Sequence, residues 1–416
     1  MKNKSVNKLL KNLEVFSVIL LLLLAEFINI PIPPGIINTI TYGTVILLII
    51  GRLKRFAYVA TRDVSLLLLV GVAVASVLWS ASLSNTVAQI RAVVRSILFG
   101  VYLAMQYTPS NQIRLLSWIT GIVTILSFTL GLALPSYAIS SDVNLISAWQ
   151  GIFLHKQTLG RYMSFAASIF LITAFDKKSN RWFALAVLCL VFILILLSQS
   201  KTGLVAFILL LLQMPLYTIA KQKRMRALHM VFVLLLLTTV AIIFSLNLET
   251  IVVDFLGKNL EFNGRTPVWE LAIEKGMERP FLGYGYNGFW TSEASDFIIM
   301  NTWYGLSEAV ANRTLIFHAH NSFIDIFLQL GLIGLILVTW NLIAVIIRVV
   351  KLILITRKIE YFWMFQFIAV FLVYGMVEGG AILTTNSILW ITYISIVFSS
   401  AIDYSKIKTK FASNWH

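Results

Sequence analysis

The chain has one cysteine, Cys189, and it lies inside the apolar run Leu185 to Leu197. A lone thiol closes no disulfide and builds no thiolate metal site, so any loop outside the apolar runs must be ordered by packing alone. Charge is scarce too: 12% of the residues are Asp, Glu, Lys or Arg against 59% apolar, with a mean hydropathy of +0.86. Soluble domains do not reach that balance. The charge that remains is one-sided, +15 overall. Yet the basic residues are dispersed among turns with no interleaved aromatic platform, so no nucleic acid is expected as a partner.

Apolar runs fill the chain instead, and at about 20 residues per span they leave room for roughly twelve helices and one sizeable loop. The expectation is an all-α polytopic membrane protein, one integral membrane domain over residues 1–416 embedded in the lipid bilayer. Spans are expected near 13–31, 35–51, 64–81, 96–107, 113–134, 160–175, 182–198, 203–220, 228–247, 321–347, 360–377 and 382–402. The fourth is short and should begin earlier, as an amphipathic stretch from Ser84. A polar interval, 248–319, separates the ninth span from the tenth and reads as a large outer loop containing short helices. At the other end, Met1–Asn12 carries four lysines ahead of an apolar run, as a signal peptide would. Cleavage is not expected: no small-x-small site closes the run, Glu26 interrupts it, and Pro31, Pro33 and Pro34 mark a turn into a second span.

Cytoplasmic loops retain lysine and arginine. Groups of four fall in each of 1–12, 52–62, 221–226 and 348–358, and groups of three in 177–181 and 406–410, all on one side of the expected topology. Both termini are therefore expected in the cytoplasm. With Arg114 also on that inner side, ten cations are left for the other: Arg91, Arg95, Lys156, Arg161, Lys201, Lys258, Arg265, Lys275, Arg279 and Arg313. A polyanionic ligand would account for them, and so would pairing with Glu261, Glu270, Glu274, Glu278, Glu293 or Asp296.

Three basic positions stand at expected helix starts. Gly264-Arg265-Thr266-Pro267 reads as a loop feeding a helix, with Thr266 as N-cap, Pro267 in the first turn and an end near Met277. Free amides there favour an anion, and arginine adds forked donors suited to phosphate, although Arg265 could instead pair with Glu261 or Glu270. Lys201 occupies a short turn before the eighth span, as a point charge for an anion or as a snorkelling anchor. His155, Lys156 and Arg161 share the approach to the sixth span, where an interfacial belt is the plainer reading.

His318 and His320 fall where the polar interval meets the tenth span. Spacing of two suits a metal pair only on an extended segment, and no dense carboxylate or cysteine group accompanies them, so no metal is expected. A histidine at a helix amino terminus feels the positive dipole end and stays neutral, as a general base must. Asp325, one turn further, could orient or balance the imidazole, and Asn321 could be a structural cap. The intervening Pro280–Trp290 string, with glycines that bend the chain and aromatics with flat faces, could seat sugar rings or rest on lipid headgroups.

In that order, Gly264-Arg265-Thr266-Pro267-Val268-Trp269, the Pro280–Gly288 turn and His318-Ala319-His320-Asn321-Ser322-Phe323-Ile324-Asp325 resemble the bacterial O-antigen ligase and polymerase superfamily. The resemblance covers the whole topology, with about twelve helices, a large late periplasmic loop and an inward-ending tail. It implies an inverting, metal-independent glycosyltransferase, without a cofactor, that takes a glycan from undecaprenyl diphosphate on the periplasmic face of the inner membrane. His320 would deprotonate the acceptor hydroxyl while Arg265 and Lys201 grip the diphosphate; His318, Lys156, Arg161, Arg91 and Asp325 are expected around the substrates. Family ligases usually carry arginine where this chain has Lys201. The absence of a DxD or glycine-rich nucleotide motif fits a donor already activated by its lipid. The acceptor would be another lipid-linked repeat or a lipid A core sugar, and the His155–Arg161 segment looks more like exopolysaccharide polymerases, which favours polymerisation alongside other polysaccharide assembly proteins. The alternative from another class is a transporter of lipid-linked glycans or anions. That reading calls for ionisable residues near span centres and for internal repeats, and neither is visible.

Overall fold

The computed structural model describes residues 2–26, 34–140, 147–176, 180–220, 230–240, 242–243, 265–302, 317–379, 381–385 and 387–413. In lipid the backbone has no water to bond, so each apolar run closes its own hydrogen bonds as a helix. The first half comprises α1 (Lys2–Leu23), α2 (Pro34–Ile50), α3 (Leu53–Ala60), α4 (Val64–Ala75), α5 (Leu83–Gln106), α6 (Pro109–Ala133) and α7 (Lys156–Phe175). Then come α8 (Arg181–Leu197), α9 (Lys201–Ala220), α10 (Met230–Val240), α11 (Arg265–Met277), α12 (Ser322–Thr356), α13 (Ile359–Val377) and α14 (Ile388–Ser413). Each of the twelve expected spans overlaps a helix, and the fourth does begin early, at Leu83. Among the described residues seven helices are long and apolar enough to cross a membrane, or eight if α2 and α3, bent by 98°, form one span; α4 with its following turn, α8 and α10 are shorter apolar helices. This is a multi-pass, all-α membrane protein.

At its centre α7 packs against α6, α8, α9 and α13, and α13 packs in turn against α12 and α14. Aromatic rings fill the last of these seams, Phe371 stacking on Tyr393 with centroids 4.5 Å apart. One polar cluster inside the bundle is tightly paired, as desolvation favours. Asp63 caps α4 through Leu66 N, accepts from Asn341 Nδ2 at 3.0 Å and pairs with Arg348, while Tyr393 donates to Asn341 Oδ1 at 2.6 Å. Arg348, counted above as an orientation signal, is thus also a strut between α4 and α12.

The two flanks of the polar interval, 248–264 and 303–316, lie outside the described residues, and with them Lys258, Glu261 and Arg313. Its described middle is sewn into the bundle. At Gly331 (φ 62°, ψ −161°) α12 breaks. An unbroken helix would bond Leu332 N to Leu328 O and Ile333 N to Gln329 O. Here those carbonyls accept from Tyr284 N (2.8 Å) and Gly285 N (2.9 Å), while the two amides donate to Pro280 O (2.7 Å) and Phe281 O (3.3 Å). No ladder group is orphaned, because the turn supplies each missing partner. Only glycine suits that position, since a Cβ on residue 331 would sit 2.3 Å from the Phe281 carbonyl. The far side of the turn is fastened to the start of α5, where Thr86 Oγ1 donates to Tyr286 O and Asn85 Nδ2 to Asn287 O. Tyr284, Tyr286, Phe289 and Trp290 are consequently buried, so the expected sugar-stacking platform is a packing core instead.

Candidate functional site

Four chain segments meet at one set of helix ends: the start of α11, the 317–321 segment, the end of α13 and the start of α7. Arg265 is already helical, one residue ahead of the expected cap at Thr266, and its Nη1 donates to Val377 O at the end of α13. One turn along α11, Trp269 Nε1 donates to Ala319 O at 2.7 Å. Ala319 N in turn donates to Asp325 Oδ1 at 2.9 Å, and Trp290 Nε1 donates to the same oxygen at 2.8 Å. The peptide between the two histidines is therefore held from both faces. Asn321 is the structural cap of α12, accepting from Phe323 N and Ile324 N.

Within that clamp His320 adopts a left-handed backbone (φ 51°), which brings its ring beside that of His318 with centroids 4.2 Å apart at 63°. His318 Nδ1 accepts from His320 N at 3.1 Å. Gly379 closes the other side with φ 69°, where a Cβ would stand 3.2 Å from both His318 Nδ1 and Asn321 N. Both imidazoles are half-buried. Burial, then the Arg265 and Arg161 guanidiniums, hold His318 down to about 4; burial, His318 and Arg265 hold His320 down to about 3. Both values favour a neutral imidazole, and burial is the largest cause in each.

Arg161, in the second turn of α7, pairs with buried Glu26 at 3.4 Å, and Glu26 also accepts from Ile388 N at the start of α14. Glu378, directly after α13, is buried and interacts with Arg161, Thr202 and Arg265. Burial raises its carboxyl above the usual range, while the Arg161 guanidinium pulls the other way. Neither acid was singled out as a site residue from the sequence. An ionisable side chain at the end of an apolar run was the available signal in each.

Lys156 and Lys201 open α7 and α9 and lie near enough to repel, Lys201 exposed and next to the Thr202 that bonds Glu378. The structure thus brings His318, His320, Arg265 and Arg161 together with the two lysines at the margin. Arg91 is different: it is exposed, and its Nε reaches back to Val87 O in its own helix. Asp325, expected near the substrates, turns its Oδ1 to the Ala319 amide and the Trp290 indole. Several of the ten cations have the plainer explanation. Lys275 pairs with Glu278 at 2.8 Å, Arg279 lies over the Tyr284 ring, and Arg95 is bonded to Asn38 and Thr41; His155, outside that set, caps α7.

Beside the histidines a cavity of about 520 Å³ opens between α10, α11, α12 and α13, lined by apolar groups such as Leu235, Ile273, Phe327, Leu372 and Met376 and reaching Asn321. Leu235 and Ile273 are themselves about half exposed, so it opens to the outer surface of the protein.

The family model described as O-antigen ligase matches residues 184–339, from α8 through the broken helix α12. The exopolysaccharide production protein ExoQ of Rhizobium meliloti (strain 1021) is 34% identical over 105 residues, 25% of this chain. The match spans 23% of that protein's length. The resemblance to the O-antigen ligase and polymerase superfamily is thereby borne out, with Arg265, His318, His320 and Asp325 all inside the matched segment and Arg161 and Glu378 outside it.

Proposed function

We propose that this protein is an inverting glycosyltransferase of exopolysaccharide or O-antigen assembly, transferring a glycan from undecaprenyl diphosphate to an acceptor sugar hydroxyl on the periplasmic face of the inner membrane. Both termini lie in the cytoplasm and residues 248–319 form the periplasmic loop of a single membrane domain. The observation that carries this reading is the junction of Trp269 with Ala319, which couples the arginine helix to the histidine segment within one half-buried site. The acceptor oxygen attacks the anomeric carbon, the bond from that carbon to the diphosphate oxygen breaks with inversion, and the hydroxyl proton passes to His320. Lipid diphosphate departs with its charge met by Arg265 and Arg161, preorganised cations where negative charge develops. The apolar cavity ending at Asn321 is suited to the first isoprene units, with the head group beside the histidines.

Low basicity of His320 in the unliganded site has a consequence. Bringing a diphosphate anion next to Arg265 cancels part of the field that disfavours the imidazolium, so donor binding makes the base stronger. Glu378 interacts with both arginines beside the same site. The decisive experiment is reconstitution of purified protein in liposomes with a lipid-diphosphate glycan donor and two acceptors, a second lipid-linked repeat or lipid A core. Extension of the repeat is expected; transfer only to core makes it a ligase. No transfer to either acceptor, or wild-type rates from His320→Ala and Arg265→Ala, removes the assignment and leaves the transporter reading.

A further inference from the structure

We propose that His318 serves the reaction as a fixed hydrogen-bond donor, a neutral imidazole carrying its proton on Nε2 and presenting it to a phosphate oxygen of the departing diphosphate. The inference rests on the function proposed above and assigns His318 a different task from His320.

The tautomer follows from one contact. An atom that accepts a backbone N–H carries no proton, and His318 Nδ1 accepts from His320 N at 3.1 Å. A neutral ring must then hold its hydrogen on Nε2. Three further constraints keep it so. Residue 379 is glycine, and a Cβ there would stand 3.2 Å from Nδ1, so the absent side chain leaves this nitrogen its place. The next residue, Ala319, is pinned through its N–H by Asp325 and through its carbonyl by Trp269, so the ring's own backbone cannot drift. Arg265 and Arg161 both bear on this imidazole, and a third positive charge beside two guanidiniums is disfavoured. A ring held neutral this way is a poor acid and, with Nδ1 occupied, a poor base. What it retains is directional donation at Nε2, beside the two cations assigned to the leaving group.

Glutamine and asparagine divide the two nitrogens between them. A glutamine side chain reaches the Nε2 position with an N–H donor but does not supply the Nδ1 acceptor, whereas asparagine supplies an acceptor at the Nδ1 position and nothing at Nε2. We therefore expect His318→Asn to lower transfer and to weaken inhibition by undecaprenyl diphosphate by about 10- to 100-fold, the range for a lost bond to a charged group. His318→Gln should recover at least about tenfold of both relative to His318→Asn. The opposite order, with asparagine the better substitute, means that His318 only straps the His320 backbone and overturns the proposal; so do equal losses or no loss. A measurement without any variant guards against misfolding: ¹⁵N solid-state spectra of histidine-labelled wild type in bilayers should contain a neutral Nε2–H His318, and an Nδ1–H tautomer overturns it. Wild type and His320→Ala run in parallel separate the two levels. Active wild type with dead His320→Ala upholds the site even if the predictions at residue 318 fail.

Discussion

Asp325→Ala tests whether the histidine pair is held by a clamp or merely lies where the chain leaves it. In the native protein one carboxylate oxygen accepts from Ala319 N at 2.9 Å and from Trp290 Nε1 at 2.8 Å, and both donors are buried. Alanine leaves two donors with no acceptor. A hydrogen bond to a charged group contributes about 1.5–3 kcal/mol, so about 3–6 kcal/mol of local restraint disappears. A left-handed non-glycine residue such as His320 costs roughly 1–3 kcal/mol and persists only while its surroundings impose it. The loss therefore meets or exceeds the strain it opposes, and the 317–321 segment relaxes. The fold around it should survive, because the Asn321 cap and the crossed bonds at Gly331 do not involve Asp325. We expect Asp325→Ala to insert and purify normally, to melt at a lower temperature, and to lose at least about 100-fold in transfer, since each 1.36 kcal/mol of misplaced transition state is tenfold. Asp325→Asn, which keeps one accepting oxygen, should fall between. Glycan transfer in proteoliposomes and thermal unfolding in detergent measure the two effects. Wild-type transfer by Asp325→Ala refutes the clamp.

The remaining expectations follow from the same contacts. Gly331→Ala should reduce yield and thermal stability sharply, because the added methyl meets the Phe281 carbonyl and the backbone there suits glycine alone; a fully stable variant would mean that the helix break closes without cost. Arg265→Lys should lose most activity while remaining folded, because a lysine can bond Val377 O or the diphosphate but lacks the fork to serve both; unchanged kinetics would reduce the residue to simple charge. The pH profiles should separate: His320 is inactive once protonated, so the acid limb of kcat/KM for the donor, which reports the free enzyme, should lie near 3 to 4, and the limb of kcat, which reports the donor complex, at higher pH. Coincident limbs near 6.5 would sink the claim that Arg265 and burial suppress the base.

Membrane class and nearly every helix were legible in the sequence because a bilayer imposes a length and a polarity on each span independently of its neighbours. The arginine and histidine motifs were legible as residue types at helix boundaries. Their wiring was not. Asp325 was expected beside an imidazole, yet its partners are Ala319 and Trp290, a backbone amide and an indole brought in from 35 residues away. The aromatic turn looked like a surface for sugars, but Gly283 lets its main chain approach the break in α12, and Gly285 and Gly288 let it lie against Ser80. Glu26 and Glu378 lie at opposite ends of the chain and become site residues only because Arg161 interacts with both.

Composition and the order of motifs therefore determined by themselves that the chain is a polytopic membrane protein with an arginine helix preceding a histidine segment, since hydropathy is a property of each segment alone. Tertiary structure decided which nitrogen of His318 accepts, which oxygen holds Ala319, and which acids balance Arg161 and Arg265. Those depend on distances of a few ångströms between residues far apart in the chain, and hydrogen bonds and desolvation act only at that range.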